Sequence, residues 1–325
     1  MNEKLLPMEA KGEVQTESVI KSSVEMPYSG IRTFLRRRHT HDLTGVDYAI
    51  FGVPFDLATS GRPGARFGPS ALREASTHLS CGKVWPWNIA PFKSIEAVDL
   101  GDVPFQRGQT NEMMKNTIQF SQSIVDADVS TIMLGGDHCI TYNTLKAHAS
   151  KHGPLALIQF DAHRDILESD YLDHGTFVHH AIKEELIDPE HSIQIGIRTH
   201  YEKNDSMQVL YRDWFHENGW QGALSKIKET VGNRKAYLSI DIDSIDPAFA
   251  PGTGTPVVDG LHPNDIISIL RNSMDLEIVG MDLVEVAPAY DNAEITALLG
   301  ATLVQEFLCS RAVRKNNIAK KSTKK

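Results

Sequence analysis

A series of short, mostly apolar runs, separated by stretches of helical spacing, constrains this chain more than any other feature of its sequence. The runs are Tyr48 to Phe51, Ser94 to Val98, Thr131 to Leu134, Leu155 to Phe160, Ile193 to Ile197, Ala236 to Ile240 and Glu277 to Met281. They do not alternate apolar with polar residues, which is the pattern of strands buried on both faces. Between them, Asn111 to Val125, Tyr142 to His152, Pro263 to Met274 and Ala293 to Leu308 carry helical periodicity. Strand and helix in repetition imply an α/β fold, with a mostly parallel sheet between two layers of helices. There is no internal repeat and no low-complexity linker, so one catalytic-size domain is expected over residues 41–312. An irregular arm, 1–40, precedes it, with Arg36, Arg37 and Arg38 read as a solvated basic face. A basic, frayed tail, 313–325, follows it.

Ligands of open α/β sheets bind beyond the carboxyl ends of the strands, so the residues that follow each buried run matter most. After Leu134 comes Gly135-Gly136-Asp137-His138; after Phe160, Asp161-Ala162-His163-Arg164-Asp165; after Ile240, Asp241-Ile242-Asp243. Each element alone has an ordinary explanation. The Gly-Gly turn fits a tight turn or a phosphate cradle, and the Asp-X-His-X-Asp run fits a capped loop. If that run is extended, however, Asp161, His163 and Asp165 point the same way. Asp241 and Asp243 are close enough to repel unless a cation lies between them. His138, Asp161, His163, Asp165, Asp241 and Asp243 form an imidazole and carboxylate set with no thiolate. That set suits Mn²⁺, with Co²⁺ or Ni²⁺ tolerated, better than a structural zinc. Six ligands exceed what one four-coordinate ion needs and fit a pair of ions bridged by carboxylates. Cys139 is read as a packing residue, and His179, His180, His191 and His200 as surface or packing histidines.

These motifs resemble those of the ureohydrolase family: arginases, agmatinases and their relatives. The resemblance runs from about Tyr28 to near the C-terminus. It rests on GVPFDLATSGRPGARFGPSALRE, GGDH, DAHRD, DHGT, IQIGIRT, DIDSIDPAFAPGTGTP and VEVAPAYDNAEITAL. The last two segments are the most specific and lie closer to agmatinases than to arginases. The resemblance implies an arginase-like, three-layer α/β/α fold and a hydrolase that cleaves a guanidino group to urea and an amine. It assigns one manganese to His138, Asp161, Asp165 and Asp241, and the other to Asp161, His163, Asp241 and Asp243. It makes Asp165 a proton acceptor, His174 a proton relay to the leaving amine, and Glu285 the partner of the guanidinium. Thr253 is expected to line the pocket or form a turn. A homo-oligomer, trimer or hexamer, is also implied.

Agmatine is the substrate the long motifs favour. Arg164 points elsewhere: it fits the carboxylate of 4-guanidinobutyrate or 3-guanidinopropionate, a pocket shortened for a small alkylguanidine, or an outward ion pair with Glu168. Two other readings compete, a single-zinc amide deacetylase on the same architecture and a non-catalytic metal-binding subunit. The remaining composition narrows the field. A formal net charge of -9 and the lack of a basic-aromatic stripe argue against a nucleic-acid partner. Cys81, Cys139 and Cys309 are too few and too scattered for a disulfide framework and suit a reducing, cytoplasmic setting. The first residues have no apolar run, and no stretch suggests a membrane span.

Overall fold

The computed structural model describes residues 26–201 and 206–322 of the 325. Most of the expected N-terminal arm and the last three residues of the tail lie outside the described residues. The strands are β1 (Tyr48–Gly52), β2 (Ala97–Asp102), β3 (Ser130–Leu134), β4 (Ala156–Phe160), β5 (Ile193–Ile197), β6 (Gln208–Tyr211), β7 (Lys235–Asp241) and β8 (Glu277–Val284). The α-helices are α1 (Gly68–Ser76), α2 (Thr110–Asp126), α3 (Ile140–His152), α4 (Phe177–Lys183), α5 (Arg212–Val231), α6 (Pro263–Asn272) and α7 (Ile295–Ser322).

The strands form one sheet in the order β2-β1-β3-β8-β7-β4-β5-β6, and every strand pair in it is parallel. Successive side chains leave the sheet on opposite faces. Ile50, Ile132, Ile158 and Phe160 pack with Leu72 of α1, Ile227 of α5, Ile266 of α6 and Phe307 of α7. Their neighbours Phe51 and Met133 pack with Met113 of α2 and Ile140 of α3, and Leu157 packs with Phe177 of α4. Both faces of the sheet are therefore covered, which gives the expected three layers and explains why the strands read as continuous apolar runs. Strand β6 escaped the sequence reading because it is a four-residue edge strand with one buried side chain. Among the described residues, no helix is long and apolar enough to cross a membrane.

Two expectations are corrected. Arg37 is not on a solvated face: it is fully buried. Its guanidinium lies 3.8 Å from the centre of the Phe92 ring, and its Nε donates to the Leu35 carbonyl at 3.0 Å. A cation can be buried when an aromatic face and a carbonyl replace its water. The basic stretch after residue 312 is not frayed where it is described, because α7 continues to Ser322. Arg314 donates to the carbonyls of Met274 and Asp275, and Lys315 pairs with Asp47, so side-chain contacts anchor the extra turns.

The chain leaves β3, crosses over two strand positions and enters β4, so the sheet has a switch point between them. The four central strands, β3, β8, β7 and β4, end level with one another. Leu134 is register partner of Leu283, Leu283 of Ile240, and Ile240 of Phe160. The residues that follow each of these positions form one floor. The turn after β3 is packed against backbone: a Cβ on Gly136 would stand 2.3 Å from the Phe55 carbonyl oxygen and 2.6 Å from that of Val53. Close packing, rather than a phosphate cradle, thus accounts for the glycine there. Gly136→Ala should lower the unfolding free energy by about 1–3 kcal/mol, measured by urea denaturation. An unchanged stability would mean that this turn shifts freely.

Candidate metal centre and its cavity

His138 defines the floor. Ser239 Oγ donates to Asp282 Oδ1 at 2.6 Å, and Thr141 Oγ1 donates to Asp282 Oδ2 at 2.9 Å. With its one proton given to Asp282, the Ser239 oxygen accepts at its 2.8 Å contact with His138 Nε2, so Nε2 carries the proton. The other nitrogen, Nδ1, is buried without a hydrogen-bond partner. It faces carboxylate oxygens of Asp161, Asp165 and Asp241 at 3.1, 3.0 and 3.1 Å. A lone pair and three carboxylates converging in a dry site require a positive charge between them, either a proton or a cation. In the cation-free chain, burial opposes charging of His138, but these carboxylates outweigh it and raise its proton affinity well above the ordinary histidine value.

His163 repeats the arrangement from the other side. Its Nδ1 lies 3.1 Å from Asp243 Oδ2 and 3.5 Å from Asp161 Oδ1. Against burial, the two carboxylates push its pKa to about 12. Two groups, His138-Asp161-Asp241 and Asp161-His163-Asp243, are each compact enough to hold an ion, and they share Asp161. Burial, then the neighbouring charges of Asp243 and Asp161, raise the Asp241 carboxyl well above its usual range. The residues fit a pair of divalent cations, judged by the orphaned His138 nitrogen and by a donor set of imidazole and carboxylate without thiolate.

Backbone N–H groups hold the carboxylates in place. Asp161 accepts from the His163 N–H at 2.7 Å, Asp241 from that of Asp243 at 2.8 Å, and Asp243 from that of Ala162 at 3.1 Å. Glu285 Oε1 accepts from the His138 N–H at 2.9 Å. Its second oxygen, Oε2, is buried with no partner. Asp165 and Glu285 both have positive φ, 49° and 63°. Such backbone is uncommon for side chains of this kind and clusters at functional sites. Burial, then the charge of Asp161, push the Asp165 carboxyl up to about 7.

Above the floor is a cavity of about 230 Å³, lined by His163, Asp165 and Asp241 below and by Ser60, His174 and Arg164 on its walls. His174 Nδ1 lies 3.1 Å from Glu285 Oε1. Its Nε2 accepts from the Ser60 N–H at 2.9 Å and lies 2.8 Å from Ser60 Oγ. Glu285 raises the His174 pKa to about 9 against the effect of burial, whereas the Ser60 N–H, which needs the Nε2 lone pair, favours the neutral ring. The loop that carries Ser60 is pinned at its base, where Asp56 accepts from the Gly64 N–H and pairs with Arg66. Asp137 adds a second tie by accepting from the Ala58 N–H at 2.9 Å.

Arg164 is 6% exposed and lines the cavity, with its Nε donating to Gln194 Oε1 at 2.5 Å. Thr253 is fully buried and bridged to Val286; the threonines that line the cavity are Thr199 and Thr255, and Thr255 Oγ1 donates to Asp243 Oδ2 at 3.2 Å. Sequence reasoning missed Ser60, Thr255, Tyr201 and His200, which also line the cavity. Ser60 and Thr255 lie inside motifs that were legible, so their position directly beside a glycine, Gly61 and Gly254, was the available signal. Tyr201 and His200 follow β5 on a loop without any motif.

A family model described as the arginase family matches residues 46–310. The chain is 43% identical to a Chromobacterium violaceum agmatinase over 302 residues, 92% of this chain and 94% of that protein. It is 47% identical to an Edwardsiella ictaluri agmatinase over 271 residues, 83% of this chain and 89% of that one. Among solved structures, a hypothetical agmatinase from Burkholderia thailandensis is similar at 45% identity, with a TM-score of 0.89 and coverage of 94% and 97%. Proclavaminate amidino hydrolase from Streptomyces clavuligerus is similar at 39% identity, with a TM-score of 0.84 and coverage of 89% and 99%. With a match of this extent over the strands that carry the site, the chain belongs to the arginase family.

Proposed function

We propose that this protein is a binuclear metal hydrolase that cleaves agmatine to putrescine and urea. The pair of ligand groups sharing Asp161, on the floor of a small cavity, carries the reaction class. Similarity to agmatinases over most of the chain supports the substrate. His138, Asp161, Asp165 and Asp241 would hold one cation, and Asp161, His163, Asp241 and Asp243 the other, with manganese the metal that suits these donors. Such a pair of ions, when bound, lowers the pKa of water enough to supply a nucleophile near neutral pH.

The chain's own residues do the rest. A guanidinium is cationic and resonance-stabilised, so it needs a fixed position as well as a strong nucleophile. Glu285 Oε2, buried without a partner, would accept from the guanidinium N–H groups in a charge-assisted bond. Its other oxygen stays on the His138 N–H and on His174, so the carboxylate cannot swing away. Asp165 would take the proton of the attacking water, a task that suits a carboxyl raised toward neutral pH. At His174, Nδ1 faces Glu285 and Nε2 accepts from the Ser60 N–H, so Nε2 would gain a proton and pass it to the leaving amine only once its contact with Ser60 opens.

Arg164 favours a second reading. A guanidinium side chain on the cavity wall would attract the carboxylate of 4-guanidinobutyrate or 3-guanidinopropionate more than the ammonium of agmatine.

Urea release by the Mn²⁺-loaded protein should be fastest with agmatine in a panel that also holds arginine, both guanidino acids, methylguanidine and guanidine. Preference for a guanidino acid would establish the second reading, and no urea from any of them would refute both. Asp241→Ala should lose metal and urea release together, followed by metal analysis of the purified protein. Two bound metals at full activity would remove Asp241 from the ligand set. His174→Ala should keep both metals and lower kcat by about 10²–10⁴-fold. Metal loss in that variant would make His174 a ligand instead of a relay.

A further inference from the structure

Gln159 of β4 and Gln194 of β5 are register partners, and both are fully buried. Burial of two carboxamides is uncommon unless every polar atom is satisfied. Here they join Arg164 to Asp161. Arg164 Nε donates to Gln194 Oε1 at 2.5 Å. Gln194 Nε2 donates to Gln159 Oε1 at 2.7 Å and to the Arg164 carbonyl at 2.8 Å. Gln159 Nε2 donates to Asp161 Oδ2 at 2.7 Å.

The polarity of this chain is forced. A guanidinium can only donate, so Gln194 turns its oxygen to Arg164 and its amide nitrogen to Gln159. Gln159 must then present its oxygen to Gln194 and its nitrogen to the carboxylate. Neither amide can flip while the cation stands at one end and the carboxylate at the other. An arginine placed directly on Asp161 would compete with metal for the same charge. Two neutral amides instead deliver a donor that fixes Oδ2 and leaves the carboxylate negative.

We propose that Arg164, Gln194 and Gln159 are positioning residues that orient Asp161, so that the wall of the cavity and the affinity for metal are coupled. Arg164 thereby acts on the metal centre whether or not it also touches substrate. The proposal rests on the reading of Asp161 as a metal ligand.

The test is Mn²⁺ binding to the full-length, metal-free protein, by calorimetry and by the electron paramagnetic resonance of the bound ions, without substrate. Wild type should bind two Mn²⁺ per chain. Gln159→Leu, Gln194→Glu and Arg164→Met should each weaken binding by about 10–100-fold, the usual effect of losing a partner of a ligand. Arg164→Met combined with Gln159→Leu should be no weaker than Gln159→Leu alone, and Arg164→Lys should recover most of the affinity. Gln194→Glu is isosteric and Arg164 lines a cavity, so these two test the chain even if Gln159→Leu fails to fold. The proposal is overturned if Arg164→Met and Gln194→Glu bind Mn²⁺ within twofold of wild type, or if the double variant is additive. Wild type that binds no Mn²⁺ would instead refute the metal-centre reading, and the proposal with it.

Discussion

Carboxylates that repel one another in a dry interior are the constraint around which the site is built. Asp161, Asp241, Asp243 and Glu285 are all buried within one floor. Each would be expelled or protonated if nothing held it. The backbone supplies the hold. N–H groups of His163, Asp243, Ala162 and His138 point at these carboxylates, and each of those residues belongs to the strand-end turns that also carry the site. The turns cannot relax without releasing a charge, and the charges cannot move apart without breaking a turn. A cation pair would relieve the remaining repulsion, so the fold is built around a deficit of positive charge.

Two of the residues at this floor stand in backbone conformations that β-carbon sterics disfavour. Asp165 and Glu285 have positive φ, and each follows a central strand. Turning the chain there aims one carboxyl toward His138 Nδ1 and the other toward His174. The cost, about 1–3 kcal/mol at each position, is offset by the packed sheet beneath, in which Phe160, Ile240 and Leu283 are completely buried. Local strain and global stability are thus divided between the strand ends and the strands.

Much of this was legible in the sequence because the signals were local. Continuous apolar runs disclose strands covered on both faces, and a run that ends in Asp or Gly-Gly-Asp-His discloses what the strand end presents. What stayed hidden depends on partners far away in the chain. Arg37 reads as a solvated charge until Phe92 is known to lie beneath it. The basic end of α7 reads as a tail until Asp47 and the carbonyls of Met274 and Asp275 are brought to it. Gln159 and Gln194 are unremarkable interruptions of two apolar runs until the strands pair and set them side by side. Strand β6 has too little buried surface to leave a pattern of its own.

The position of β8 has a consequence for how the molecule is made. It is the last strand in the chain, yet it lies between β3 and β7. Without Glu277 to Val284, no strand pairing joins the two sets β2-β1-β3 and β7-β4-β5-β6. His138 then belongs to one piece, and Asp161, His163, Asp241 and Asp243 to the other. Before β8 is in place, a growing chain can therefore bring together the side chains of only one of the two ligand groups, Asp161, His163, Asp241 and Asp243, and not the group that needs His138. The complete set of side chains is gathered by the same event that turns two half-sheets into one, and local opening of β8 in the finished protein would take it apart again.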